Sequence, residues 1–338
     1  MTEQLKAKIE QSKETLRLAS KMSEHYYQKP IVICYSGGKD SDVILRLTMD
    51  CLNPEQFEVL HSITTVDSPI TNRYVNEVFA ELKEKGIHTI KRIPVDKDGN
   101  PTNMWKLIPK KQIPPSRFHR YCCSVLKEAS TPNQISVLGV RGGESAKRKG
   151  RNSFGINGKT YKDAKFFSTE HADEVFHEAL EKEKEPLGEV WDCTLIKNMR
   201  EKNNIVINAV YDWLDSDVWD YLNQGGYKHN PMYDMGYTRV GCVGCPLATY
   251  KMKLKEFADF PTYKEHYIKA FDEMLKQNRE RDERWGNKKW TDGQAVFDWW
   301  IEKDRYETKG QMKISDYMDE QVDEWGLIVR KSTEKEGK

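Results

Sequence analysis

Apolar residues in the first half of the chain switch between two periods. Ile31–Tyr35, Phe57–Thr65, Ile87–Val95 and Ile135–Val140 are short apolar or alternating runs and read as strands. Between them, Ser41–Cys51 and Asn72–Lys85 carry apolar residues at helical spacing, with Val75, Val78, Phe79 and Leu82 on one face of the second. Before them, Met1–Gln28 reads as an amphipathic helix through Leu5, Ile9, Leu16, Leu18 and Met22. This alternation predicts an α/β fold: a mainly parallel sheet with helices on both faces. Ligands of such a fold lie beyond the carboxyl ends of the strands.

The pattern weakens over 150–204, where a Gly/Asn-rich turn region (Gly150–Gly158) precedes a charged helix-like stretch (Ala172–Glu185). A strand returns at Ile205–Val210, and Asp215-Ser216-Asp217 reads as a helix start before Val218–Leu222. The Asp215 cluster is expected to cap that helix rather than to take part in chemistry. After Pro246 the chain turns helical, charged and aromatic; Trp285, Trp290, Trp299 and Trp300 read as core. The expected division is a nucleotide-binding domain over 1–248, with an insertion near 150–204, and a helical region over 249–338 with a disordered tail.

Composition narrows the partners. The 338 residues carry 54 basic and 53 acidic side chains, a formal charge of +1, so any polyanion must meet a local patch. Mean hydropathy is -0.79, and neither a signal-peptide core nor a membrane-length apolar run is present. A cytoplasmic protein without a membrane partner is expected. In a reducing compartment its seven cysteines are thiols or metal ligands rather than a disulfide framework.

Two constellations carry chemistry. Ser36-Gly37-Gly38-Lys39-Asp40-Ser41 follows the first strand and opens a helix, the setting in which backbone N–H groups wrap a phosphate chain. Its spacing is neither Walker A nor G-x-G-x-x-G. Gly37 and Gly38 let the backbone approach phosphate, Ser36 and Ser41 offer hydroxyls, and Lys39 offers a point charge. Asp40 is expected to orient the loop or to hold Mg²⁺ through water. The second constellation pairs Cys122-Cys123 with Cys242-x-x-Cys245. A lone C-x-x-C is equally a redox pair, a zinc half-site or an iron–sulfur half-site. Adjacent cysteines fit poorly around one tetrahedral zinc, whereas a 4Fe–4S cluster offers separate irons to four thiolates. Cys34, Cys51 and Cys193 sit in ordinary contexts and read as structural.

The loop resembles the PP-loop of the ATP pyrophosphatase superfamily, and the resemblance extends over roughly residues 30–248 to the PAPS-reductase-like branch. Asp67, in Thr64-Thr65-Val66-Asp67-Ser68-Pro69, stands where that branch has an Asp-Thr-Gly segment. Gly139-Val140-Arg141-Gly142-Gly143-Glu144-Ser145-x-x-Arg148 is similar to its arginine segment, and Asp212–Trp219 and Asn230–Tyr237 are similar to later ones. The resemblance implies an adenine nucleotide alpha hydrolase-like fold, with Ser36–Ser41, Asp67 and Arg141 binding nucleotide. It also implies catalytic roles for Lys39, Asp40, Arg141 and Arg148. Arginine forks suit phosphate or sulfate. The CC…CxxC pattern looks like the 4Fe–4S site of assimilatory adenylyl-sulfate reductases and of DndC/SspD-type DNA phosphorothioation enzymes.

The reductases of this family attack the sulfonucleotide with a further cysteine in a C-terminal segment. None follows Cys245 here. The expected activity is therefore an ATP pyrophosphatase that uses ATP and Mg²⁺ to adenylate an acceptor for sulfur incorporation. By resemblance the acceptor is DNA, and the partners are a cysteine desulfurase and other components of a modification complex. Lys110, Lys111, Arg117, Arg120 and the basic run 141–151 are candidates for the local patch. Two alternatives stand beside this reading: an adenylyl-sulfate or PAPS reductase, and a non-enzymatic, zinc-stapled nucleotide-binding subunit.

Overall fold

The computed structural model describes residues 2–117, 119–127, 134–142, 154–156, 159–161, 205–281 and 290–309. The chain divides into two compact units, Met1–Pro246 and Leu247–Lys338.

The first unit opens with α1 (Glu3–Tyr27), capped by the Thr2 hydroxyl, which accepts from Leu5 N. Its buried stripe is Leu5, Ile9, Leu16, Ala19 and Met22. Then follow β1 (Ile31–Cys34), α2 (Lys39–Cys51), β2 (Phe57–Ser62), α3 (Pro69–Glu84), β3 (His88–Arg92) and α4 (Met104–Lys111). After them come β4 (Ile135–Val137), β5 (Phe154–Ile156), β6 (Lys159–Tyr161), β7 (Ile205–Ile207) and α5 (Asp215–Gln224).

The strands stand in the order β3-β2-β1-β4-β7-β5-β6. The first five are mutually parallel; β5 runs antiparallel to both β7 and β6. The chain therefore builds outward from β1 through β2 to β3, then returns to β1's other side to lay down β4. That reversal puts a switch point between the carboxyl ends of β1 and β4, where ligands of such sheets bind. Ile31, Ile33, Val59, Ile135, Val137, Ile205 and Ile207 are all essentially inaccessible, and Val43, Ile44, Leu45 and Leu47 of α2 join the same core. Each such side chain contributes roughly 1.5–3 kcal/mol by leaving water.

The mainly parallel α/β architecture is as expected, but the strands are shorter than their apolar runs. Tyr35, Ile63–Thr65 and Leu138–Val140 leave the sheet at the carboxyl edge and become the loops that build the site. The expected turn region Gly150–Gly158 instead contains β5, which pairs with β6 and extends the sheet beyond β7. The charged stretch Ala172–Glu185 and Cys193 lie outside the described residues.

The second unit is helical: α6 (Tyr250–Asp259), α7 (Pro261–Arg281) and α8 (Gly293–Lys309). Phe257, Tyr267, Phe271, Phe297 and Trp300 form its buried aromatic core. Trp300 is core, as the sequence suggests; Trp290 and Trp299 pack edge to face at 4.8 Å and are half-buried. Trp285 and the tail 332–338 lie outside the described residues. Among the described residues no helix is long and apolar enough to cross a membrane.

Candidate phosphate and thiol sites

The loop after β1 is shaped by its own hydroxyls. Gly38 is the N-cap of α2, and Ser41, one turn in, acts as a hub. Its Oγ donates to the Gly38 carbonyl (2.7 Å) and accepts from Gly38 N (3.2 Å) and Ser36 N (3.3 Å). Gly37 has φ +73°, and a Cβ there would lie 2.9 Å from Val75 Cγ2, so the turn requires glycine on two counts. Asn230 is fully buried. Its Nδ2 donates to the Gly37 carbonyl (2.9 Å) and to Thr71 Oγ1 (3.3 Å), while its Oδ1 accepts from Met232 N. From the same segment the Tyr233 hydroxyl accepts from Lys39 N (2.9 Å), the first amide of α2.

Beside this loop the switch point assembles four charges. Arg141, on the loop after β4, donates through Nε to Asp40 Oδ1 (2.5 Å) and through Nη2 to Asp215 Oδ1 (2.7 Å). Lys39 Nζ lies 3.0 Å from that same Asp215 oxygen and 3.5 Å from Asp40 Oδ2. The result is a closed ring of two cations and two carboxylates. Lys39 and Arg141 are buried, whereas the Asp215 side chain is 61% exposed. Partial burial pushes the Asp215 carboxyl up. The hydrogen bond and charge of Lys39, joined by those of Arg141, outweigh it and hold the group below the usual carboxylate range. Close approach of the two loops requires Gly139, where a Cβ would fall 2.9 Å from the Asp40 carbonyl carbon.

The C-x-x-C thiols are tied to the loop after β2. The C-x-x-C turn is closed by Cys245 N donating to the Cys242 carbonyl, and it is strapped to the loop after β2. Val243 N donates to the Val66 carbonyl (2.8 Å), and Asp67 and Cys242 form an antiparallel bridge. Cys123 opens a five-residue π-helical turn, Cys123–Lys127, a form that often marks functional positions. Lys127 closes that turn. Burial disfavours its charge, but Cys242, Cys123 and Cys245 lie close enough to hold the proton on and raise its pKa. Burial likewise pushes the Cys242 thiol well up, reinforced by Asp67 and Cys245 and opposed by Lys127 and a hydrogen bond with Thr64. Arg239 donates to Cys245 Sγ at 3.8 Å. Lys127 thus lies within electrostatic reach of Cys123, Cys242 and Cys245, and Cys122 is buried next to Cys123. Among the described residues, no three His, Cys, Asp or Glu side chains are drawn together as the shell of a single metal ion.

A family profile described as the phosphoadenosine phosphosulfate reductase domain matches residues 30–248, which contain both the charge ring and the thiol group. The chain belongs to this phosphoadenosine phosphosulfate reductase domain family. Two uncharacterised proteins of Methanocaldococcus jannaschii are 22% and 24% identical over 74% and 78% of the chain. The chain spans about half the length of these curated relatives, 43% and 51%. A shorter match, 34% identity over 47 residues, is to the adenosine 5'-phosphosulfate reductase of Anoxybacillus flavithermus; it covers 14% of this chain and 20% of that one. Among solved structures, a phosphoadenylyl-sulfate reductase of Candida auris in a phosphate complex aligns with a TM-score of 0.42 at 15% identity. The alignment covers 69% of this chain and 89% of that one. An FMN adenylyltransferase of Candida glabrata bound to FMN and an ATP analogue has the same TM-score at 13% identity, covering 71% and 64%.

Within the family domain, Arg141 and Lys39 converge on Asp40 beside the Ser36–Ser41 loop, and Lys127 lies within electrostatic reach of Cys123, Cys242 and Cys245. Arg148 lies outside the described residues. Asp67 is drawn to the thiol side: its Oδ2 accepts from Thr64 N, and its backbone pairs with Cys242. Ser68 and Pro69, where the resemblance has threonine and glycine, start a helix; Ser68 Oγ accepts from Thr71 N as the N-cap of α3, and Pro69 is its first residue. Within the Asp215 cluster, Asp217 does the capping, accepting from Leu214 N at 2.8 Å, while Asp215 turns to Lys39 and Arg141. Asp40 bridges Lys39 and Arg141 through its two oxygens.

Proposed function

We propose that the chain is an ATP pyrophosphatase that adenylates an acceptor for sulfur incorporation, with DNA as the acceptor. The observation that carries this reading is the juxtaposition of Lys39 and Arg141 beside the Ser36–Ser41 loop at the switch point. Two buried cations, a helix N-terminus and a glycine turn together suit the β- and γ-phosphates of ATP. An acceptor oxygen attacks the α-phosphorus; that bond forms as the Pα–O–Pβ bridge breaks, and pyrophosphate leaves. Lys39, Arg141 and the loop amides neutralise the charge that develops on the departing group. Mg²⁺ bound with the nucleotide would supply further neutralisation of the phosphates. A sulfur nucleophile then displaces AMP from the activated acceptor.

Thiol chemistry favours this over sulfonucleotide reduction. A reductase requires an ionisable, reachable thiolate. Burial pushes both Cys34 and Cys51 up to about 11, so neither suits that role, and Cys193 lies outside the described residues. The family's own name keeps the reductase as the second reading.

Cys122, Cys123, Cys242 and Cys245 would hold the 4Fe–4S cluster, one thiolate to each iron, and the cluster would supply structural order or sulfur-transfer capacity to the adjoining pocket. In support of a nucleic-acid acceptor, residues 96–120 carry six basic side chains against two acidic ones, ahead of the cysteine pair. Lys106, Lys110, Lys111 and Arg117 among them are exposed, although Lys110 is shared with Asp96 at 2.9 Å. Anaerobically prepared chain should release pyrophosphate from ATP, and Lys39→Ala should abolish that release. ATP left intact by the wild type, with acceptor and Mg²⁺ present, would refute the proposal.

A further inference from the structure

The phosphate site is occupied by the chain's own acceptors. Asp215 Oδ1 accepts from both Lys39 Nζ (3.0 Å) and Arg141 Nη2 (2.7 Å), the two groups best placed to hold a phosphate oxygen. Tyr233 Oη takes the first α2 amide in the same way. The two carboxylates of the ring are not equivalent. Asp40 lies within α2's first turn at 18% side-chain exposure; Asp215 reaches in from the start of another helix and is 61% exposed. Asp215 can swing into water without disturbing α2; Asp40 cannot. Leaving also costs it little of its own helix, because Asp217 and not Asp215 makes the cap.

We propose that Asp215 is a built-in counter-ion that competes with the ligand's phosphate for Lys39 and Arg141, and that phosphate enters by displacing it. This rests on the Ser36–Ser41 loop being a phosphate site. With Asp215 in place the ring is neutral, so two buried cations keep partners while the site is empty. When pyrophosphate has formed, the returning carboxylate competes for the same two donors and promotes its release. Asp215 is thus a positioning residue. Unlike a structural ion pair or a Mg²⁺ ligand, its removal should strengthen anion binding.

The test is calorimetric titration of the full chain with inorganic pyrophosphate, in EDTA and again in excess Mg²⁺. Asp215→Asn keeps the shape and removes the charge. It should bind pyrophosphate about threefold to fivefold more tightly in both buffers, the scale of one largely exposed charged contact. Asp215→Glu, which restores the charge, should return the affinity toward that of the wild type. Unchanged or weaker binding by Asp215→Asn overturns the inference, as does weakening confined to Mg²⁺, which would mark a metal ligand. If neither wild type nor Asp215→Asn binds pyrophosphate in either buffer, the phosphate reading falls and takes the inference with it.

Discussion

Beneath the phosphate loop, Asp42 is buried in the first turn of α2, with one carboxylate oxygen accepting from Tyr35 Oη (2.5 Å) and the other without a hydrogen-bond partner. Burial raises its pKa from 3.8 to about 7. Below 3.8 the group is neutral in both folded and unfolded chains and has no effect. As pH rises toward 7 the unfolded chain ionises first, so the folded state loses stability through that window, on the order of 4 kcal/mol in all. Urea unfolding at pH 5 and pH 8 should show Asp42→Asn with a flatter pH dependence than wild type and a higher relative stability at pH 8. An identical slope would show that Asp42 ionises normally in the fold. Residues of this kind were only partly legible in the sequence. The loop announced itself because its six residues are contiguous. Asp215 and Tyr233 did not, because they meet Arg141 and Lys39 across 74 and 194 residues of chain. A local reading of Asp215-Ser216-Asp217 finds the helix start but cannot say which aspartate leaves it.

Among the elements, the contact between the loops after β1 and β4 is the tightest constraint on the site. Gly139 has no room for a Cβ against the Asp40 backbone, whose atoms cannot step aside as a flexible side chain would. Gly139→Ala should separate Arg141 from Lys39 and weaken pyrophosphate binding at least tenfold, read by the same titration, with far-ultraviolet circular dichroism unchanged. Binding equal to wild type would mean that the loops tolerate separation. The C-x-x-C turn is the corresponding constraint on the thiol side, strapped through Val66 and Asp67 to β2's loop. If a cluster is held there, anaerobic wild type should carry about four irons per chain. Cys242→Ser should lose most of them and the brown absorbance. One zinc and no iron would support the zinc-stapled alternative. The types of β1 to β4, α2 and α3 were readable from periodicity, whereas β5 lay in a stretch read as a turn. The strand ends were not readable, because apolar residues such as Tyr35 and Val140 stay buried after leaving the sheet. Helix α4 was hidden by prolines at 109, 114 and 115, although Asn103 caps it by accepting from Lys106 N.

For the molecule as a whole, near-neutral charge leaves polyanion binding to local surface. If residues 96–120 meet a nucleic-acid backbone, replacing Lys106 and Lys111 with alanine should weaken DNA binding alike across sequences. Each lost phosphate contact should lower the salt slope by about one. A slope unchanged from wild type would move the acceptor surface elsewhere. The central claim is narrower: the Ser36–Ser41 loop with Lys39 and Arg141 serves cleavage of ATP between its α and β phosphates. The most direct measurement incubates anaerobically purified chain with ATP or with adenylyl sulfate, each with Mg²⁺, acceptor DNA and thioredoxin, and reads pyrophosphate and sulfite together. Pyrophosphate from ATP, lost in Lys39→Ala, with no sulfite from the sulfonucleotide, is the predicted result. Sulfite release from adenylyl sulfate without pyrophosphate from ATP would contradict it.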